Sequence, residues 1–273
     1  MVFVTQYISP SCNIITTLYL RQNGQIVPID FEVAFGDGQK LTAIPIDGKN
    51  MPAQLRGFVD RVDTWQEEGR NYYRVVDYKT GKKDFDYCDI LNGLGLQMLL
   101  YLFALQQQGE VLLGKHPIPA GVQYFPARVP IISADGALSD EEAIEERQSQ
   151  WKRKGLILGD DDVLFAMENS DSPTRLSCKR KKDGTISGDI ASKEQFQLLS
   201  RYVFHLLGKM ADEIASGDVT PNPYTRGSAH NACRFCPYGA VCHSATVEGR
   251  RNYQTVSSQR FWEEIKKEMD NHG

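Results

Sequence analysis

The clearest pattern in the chain is alternation. Residues 14–46 alternate apolar and polar positions with a turn signal at Asn23-Gly24, which predicts hairpin and strand structure. Two further strands are predicted, Gln54–Trp65 and Tyr72–Lys79, joined by the polar connection Gln66-Glu67-Glu68-Gly69-Arg70. The pattern then changes. From Ile90 to Gln107 the run is apolar and long enough for one mostly buried helix. Gly121–Arg128 returns to strand character. Ser139–Lys154 is highly charged, acidic first and basic later, as suits a solvated helix. Asn169–Lys193 is polar and predicts a loop, and its basic run Lys179-Arg180-Lys181-Lys182 reads as a solvated stretch. Lys193–Ser216 repeats apolar residues at helical spacing and stops at Gly217, and a short helix is expected over Gln259–Asp270. There is no internal repeat. Strands followed by interleaved helices predict a mixed α/β domain over 1–220, with a Cys-rich segment over 221–273 packed on it.

Composition narrows this picture. With 273 residues, 41 % of them hydrophobic, the chain can bury a sizeable core. The net charge of −4 argues against coating nucleic acid by bulk electrostatics, though not against a local basic groove. No apolar run reaches 18 residues, and the first dozen residues lack the basic and apolar regions of a signal peptide, so a cytoplasmic protein away from membranes is expected.

Half of the six cysteines, Cys233, Cys236 and Cys242, fall within ten residues. C-x2-C followed by C-x5-C brings three thiolates toward one metal, and sulfur favours zinc or an iron–sulfur cluster over magnesium. His230 and His243 flank the group. Of the other histidines, His205 lies in an amphipathic helix and reads as a packed histidine.

The predicted strands carry the rest of the chemistry. Asp77 and Lys79 are two apart and share a face, while Tyr78 points away. A hairpin would bring Asp60 to the same place. Two carboxylates and a lysine there suit metal-assisted hydrolysis: hard oxygens hold Mg²⁺, and the amine orients or helps deprotonate water. A cross-strand salt bridge on a solvated hairpin is the plainer alternative. Gln97 and Tyr101, four apart on one helix face, either satisfy each other or face that site. Glu32 is a candidate extra acid. No G-x-x-x-x-G-K-[ST] loop, H-E-x-x-H helix or G-x-S-x-G elbow is present, which removes the corresponding ATPase, zinc-protease and serine-hydrolase templates.

The order of these motifs resembles the RecB-like branch of the PD-(D/E)XK nuclease superfamily, and within it the AddB-type domains. The carriers are Glu32-x-x-Phe35, Gly57-x-x-Asp60-Arg61-x-Asp63, Asp77-Tyr78-Lys79-Thr80-Gly81, Gln97-x-x-x-Tyr101 and the run Cys233–Cys242. The resemblance implies a restriction-endonuclease-like core, a mixed sheet flanked by helices. Asp60 and Asp77 would bind Mg²⁺, aided by the backbone carbonyl of Tyr78, and Lys79 would be catalytic. Gln97 and Tyr101 would be active-site or DNA-contacting residues. Cys233, Cys236 and Cys242 would be three of four ligands of a [4Fe–4S] cluster, with zinc or an empty site as alternatives. The family's fourth cysteine lies upstream in a helical segment, which Cys12 does not match, so a C-terminal portion or a shortened relative is expected. The implied activity is Mg²⁺-dependent exonucleolytic cleavage of a DNA strand, for double-strand break repair, with an AddA-like helicase–nuclease A subunit as partner. The alternative is a nuclease-like module that binds DNA or assembles without cutting.

Overall fold

The computed structural model describes residues 24–127, 136–143, 146, 151–171, 173–227, 230–242 and 250–272. Cys12, His243, all of the strand material expected before residue 24 and much of the charged segment 139–154 lie outside them. In chain order the elements are β1 (Val27–Phe35), β2 (Ile44–Ile46), β3 (Ala53–Leu55), β4 (Gly57–Glu67), β5 (Arg70–Lys79), α1 (Tyr87–Leu91), α2 (Gln97–Gln108), α3 (Glu110–Leu113) and β6 (Ile118–Pro126). There follow β7 (Ile157–Leu158), α4 (Asp161–Glu168), β8 (Cys178–Arg180), β9 (Ile186–Gly188), β10 (Ile190–Ala191) and α5 (Lys193–Ala215). The last are β11 (Tyr224–Arg226), β12 (His230–Asn231), α6 (Gly239–Cys242), β13 (Arg251–Asn252) and α7 (Ser258–Asn271).

The chain packs as two compact units. One takes the described residues up to Ile44, with Leu55–Phe85 and Gln97–Gln197; the other takes Pro45–Gln54, Asp86–Leu96 and Leu198 onward. The first unit is built on a six-stranded mixed sheet in the order β1-β4-β5-β6-β7-β10. β4 pairs antiparallel with β1 and β5, whereas β5 and β6 run parallel. The hairpin register closes at Glu67↔Arg70 around a two-residue turn, Glu68 and Gly69, both at positive φ. That turn is tighter than the five-residue connection expected from the sequence. Central strand β5 is buried continuously from Tyr72 to Asp77, as a strand covered on both faces must be. Helix α2 covers it through Leu99, Leu102, Phe103 and Leu105, none of them solvent-accessible. Each such side chain contributes roughly 1.5–3 kcal/mol. The Tyr73 hydroxyl donates to Leu102 O at 2.7 Å and fixes the helix over the strand.

The single helix expected over Ile90–Gln107 is in fact two, α1 and α2. Gly93 and Gly95 take φ of 78° and 64°, a left-handed backbone that ends α1 and restarts the chain before Gln97. The polar stretch expected as loop also carries structure: β8 and β9 pair antiparallel, so Lys179 and Arg180 lie on a strand and Lys181–Gly184 forms its turn. Arg180 there is held by Asp161 at 2.5 Å. At the start of the charged segment, Ser139 and Glu142 form a reciprocal capping box, as a helix beginning there requires.

The second unit gathers α1, the later part of α5, a three-stranded sheet β12-β11-β13 and α7. Asp86 caps α1 by accepting from Cys88 N and Asp89 N, and its carboxylate also takes both terminal nitrogens of Arg226 at 3.0 and 2.6 Å. The Tyr202 hydroxyl donates to Leu91 O at 2.6 Å, linking α5 to α1. Helix α5 matches its predicted span and ends before Gly217 at φ 71°. Helix α7 begins at the cap Ser257, whose hydroxyl accepts from Arg260 N.

Candidate active site

The β4–β5 pairing runs to Arg61↔Val76, and Asp60 and Asp77 are the next residues on each strand. Glu32 lies between the pairs Phe31↔Arg61 and Val33↔Val59, which brings it level with Asp60 on the other side. Three acidic residues therefore come together along one line of the sheet. Glu32 takes φ of 50°, a left-handed conformation costly for a residue with a Cβ, in the middle of an otherwise extended strand.

Asp77 is buried, and Lys79 Nζ lies 2.6 Å from its Oδ2. The two residues share a face, as their spacing predicts, while the Tyr78 hydroxyl points elsewhere and accepts from Arg61 Nη1 at 2.9 Å. Asp60 is exposed, and its Oδ2 accepts from the Tyr78 backbone N–H at 3.2 Å. Burial raises the Asp77 carboxyl above the usual carboxylate range; Lys79 opposes this, and the negative charge of Asp60 adds to it. The repulsion places the two carboxylates within electrostatic reach of each other. Their arrangement strains the ionised state that a cation would relieve.

The donors fit a hard divalent cation. Asp77 Oδ2 is inaccessible to solvent and accepts no directed hydrogen bond from any described residue, although Lys79 Nζ is beside it. Such an oxygen, with an exposed carboxylate from the next strand, suits Mg²⁺.

Two residues that sequence reasoning passed over belong to this surrounding. Tyr124 on β6 is the registered neighbour of Asp77, and burial followed by the Asp77 charge pushes its hydroxyl up to about 12. Lys83 adds a positive charge felt by Asp77. The signal for Tyr124 was its place in a strand directly after the DYK strand and helix, where a parallel crossover is expected.

The remaining motif residues meet around Gly57. A Cβ there would lie 3.0 Å from Phe35 Cζ and 3.1 Å from Tyr101 Cε1, and both rings would have to give by a few tenths of an ångström. The glycine lets the Phe35 and Tyr101 rings pack edge to face at 5.6 Å. Gln97 Nε2 donates to the Tyr101 hydroxyl at 2.9 Å. The two side chains satisfy each other, and Gln97 does so at the surface, outside the core.

A second acidic residue of the same motif behaves differently. Asp63 is fully buried and accepts from Arg61 Nε at 2.5 Å, Arg61 Nη2 at 2.9 Å and Arg74 Nε at 2.8 Å; Arg74 also donates to Gln123 Oε1 at 2.8 Å. With its oxygens engaged this way, Asp63 is a structural anchor of the sheet.

The three clustered cysteines occupy a turn and α6, with Cys236 N donating to Cys233 O and Cys242 N to Tyr238 O. Cys233 is half-buried, and Cys236 and Cys242 are exposed. Three thiols are one short of the four that a [4Fe–4S] cluster takes, and Cys88 directs its Sγ to Gln254 O at 3.0 Å.

A model of the PD-(D/E)XK nuclease superfamily matches residues 13–243, well over half of the chain, and the chain belongs to that superfamily. Within it, the chain is 33 % identical over 261 residues to the B subunit of the ATP-dependent helicase/deoxyribonuclease of Clostridium acetobutylicum, an alignment covering 92 % of this chain and 22 % of that protein. The B subunits of the same name from Caldanaerobacter subterraneus and Desulforamulus reducens are 34 % and 31 % identical, over 92 % and 95 % of this chain and 22 % and 23 % of theirs. The chain thus spans under a quarter of the length of these relatives.

Proposed function

We propose that this chain is the nuclease domain of the B subunit of an ATP-dependent helicase/deoxyribonuclease, hydrolysing DNA phosphodiester bonds with Mg²⁺. The observation that supports this most is the ion pair of Lys79 with the buried Asp77 carboxylate, 2.6 Å apart, with Asp60 beside them. Asp60, Asp77 and the Tyr78 carbonyl would hold Mg²⁺, which when bound supplies Lewis acidity and a more acidic water. Asp77 fixes the Lys79 ammonium where it orients the attacking water and meets charge building on the phosphate. Glu32, level with Asp60, offers a further carboxylate toward that water. Gln97 holds the Tyr101 hydroxyl, and the pair presents polar groups at the exposed end of α2 for the DNA backbone.

In the same reading, substrate is a single strand from an unwound duplex end, cut exonucleolytically during double-strand break repair in the cytoplasm. A helicase–nuclease A subunit supplies the unwinding. Among the described residues no helix is long and apolar enough to cross a membrane. Cys233, Cys236 and Cys242 supply the soft donors of an iron–sulfur or zinc staple, completed by a donor outside this stretch.

The test is cleavage of linear single-stranded DNA with and without Mg²⁺, for the wild type beside Lys79→Ala. Mg²⁺-dependent cleavage lost in the variant supports the reading. A folded wild type that binds DNA and leaves it intact overturns it in favour of a non-cutting assembly module.

A further inference from the structure

In the second unit, three side chains that take no part in the nuclease site converge across two helices. His205 projects from α5, and Glu268 and His272, one helical turn apart, project from the end of α7. His205 Nε2 and His272 Nε2 lie 3.5 and 3.6 Å from the same Glu268 Oε1. All three donor atoms fall within 4.8 Å of one another. The two imidazole rings are 4.8 Å apart and tilted by 34°. The sequence reads His205 as a packed histidine, and its side chain, 22 % exposed, packs toward this cluster.

One feature points to a ligand. His205 Nε2 is shielded from solvent yet makes no directed hydrogen bond with any described residue, although it faces a carboxylate. A cation held between this nitrogen and the Glu268 carboxylate would give both a partner. The donor set then says which cation. Two imidazole nitrogens and one carboxylate oxygen suit Zn²⁺ and its first-row neighbours and are poor for Mg²⁺. The two separations from Glu268, 3.5 and 3.6 Å, are close to the spacing of ligands about 2 Å from one ion, and the imidazole nitrogens, within 4.8 Å of each other, would draw together as the ion binds.

One contact competes. Lys209 Nζ lies 3.0 Å from Glu268 Oε1, and its side chain is half exposed. This ammonium holds part of the charge that an ion would take, and its exposed stem lets it swing into water when one binds. We propose that His205, Glu268 and His272 form a zinc-class metal site that fastens the C-terminal helix α7 to α5. The three protein ligands leave a fourth position for water. No catalytic role is assigned to it.

The test is Zn²⁺ titration by calorimetry of the chelator-treated full chain, repeated with Co²⁺ as a spectroscopic probe. The wild type should bind one more equivalent than His272→Gln, a substitution at an exposed position near the chain end. Loss of a direct ligand should weaken that equivalent by at least about 100-fold, more than an outer-sphere change does. The thiolate charge-transfer band of Co²⁺ should be the same in both proteins, which separates this site from the cysteines. Lys209→Met, which keeps the stem and removes the competing charge, should tighten Zn²⁺ binding several-fold. Equal stoichiometry and affinity in wild type and His272→Gln would overturn the proposal. So would Co²⁺ spectra showing thiolate ligation alone, or Lys209→Met leaving the affinity unchanged.

Discussion

Asp60 and Asp63 stand three residues apart on one strand and belong to one motif, yet they live in opposite environments. Asp63 is wholly buried and accepts three charge-assisted hydrogen bonds from Arg61 and Arg74. Asp60 is exposed and accepts a single backbone N–H, beside a buried Asp77 whose own oxygen lacks a directed hydrogen bond. The first environment is satisfied and holds the sheet together. The second has one buried carboxylate whose desolvation and repulsion from Asp60 outweigh the ion pair with Lys79, so a further cation would stabilise its ionised form. A carboxylate's role here follows from how fully its oxygens are satisfied by directed hydrogen bonds, and the residue type alone does not distinguish the two.

Removing Asp63 should cause the largest effect. Asp63→Ala leaves two buried guanidinium groups without their shared partner, and a loss of about 3–5 kcal/mol is expected. Urea unfolding measures it; a loss under about 1 kcal/mol, the scale of an ordinary substitution, would erase the distinction drawn above. Asp60→Asn should do the reverse, changing stability by no more than about 0.5 kcal/mol while lowering Mg²⁺-dependent cleavage by roughly 100-fold or more, about 3 kcal/mol of barrier. Retained cleavage in that variant would remove Asp60 from the site.

A third carboxylate extends the comparison to the second unit. Burial pushes the Asp86 carboxyl up, but the hydrogen bonds from Arg226 and from the first turn of α1 outweigh it and hold the group below its ordinary value. A depressed value means stability that is complete above the unfolded carboxylate range and is lost as pH falls through the folded value. Asp77, raised in the folded state, has the opposite sign: it favours the fold at low pH and opposes it once ionised. Asp86→Ala should therefore cost about 2 kcal/mol at neutral pH through the lost cap and ion pair, and flatten the acid limb of a stability–pH profile. An unchanged acid limb would contradict this. The smallest effect is expected at Tyr124→Phe, which removes a hydroxyl that feels the Asp77 charge from the neighbouring strand. Cleavage should fall by no more than about fivefold, about 1 kcal/mol of barrier, with the fold intact.

Much of this was legible in the sequence. Alternation placed β4 and β5, and the two-residue spacing of Asp77 and Lys79 put both on one face while Tyr78 turned to Arg61. Positions three apart on a strand face opposite sides, so the separation of Asp60 from Asp63 was readable too. Which side was dry was not, because that depends on Arg74 and Gln123 arriving from other strands. The break at Gly93 and Gly95 was written in the chain and lost beneath an apolar run that reads as continuous helix. The convergence of His205 with Glu268 and His272 joins residues far apart in the chain, beyond the reach of any local pattern.

The central claim, that Asp77 is a metal ligand whose burial outweighs its ion pair with Lys79, is tested most directly by melting temperatures. Wild type and Asp77→Asn are each compared with chelator and then with saturating Mg²⁺. Without metal the variant should melt above the wild type, because a repelled buried charge is gone. Mg²⁺ should then raise the wild type alone, by mass action on the folded state. A variant that melts lower than the wild type and gains the same Mg²⁺ shift would show that Asp77 is a structural carboxylate like Asp63, and that the metal-binding centre lies elsewhere.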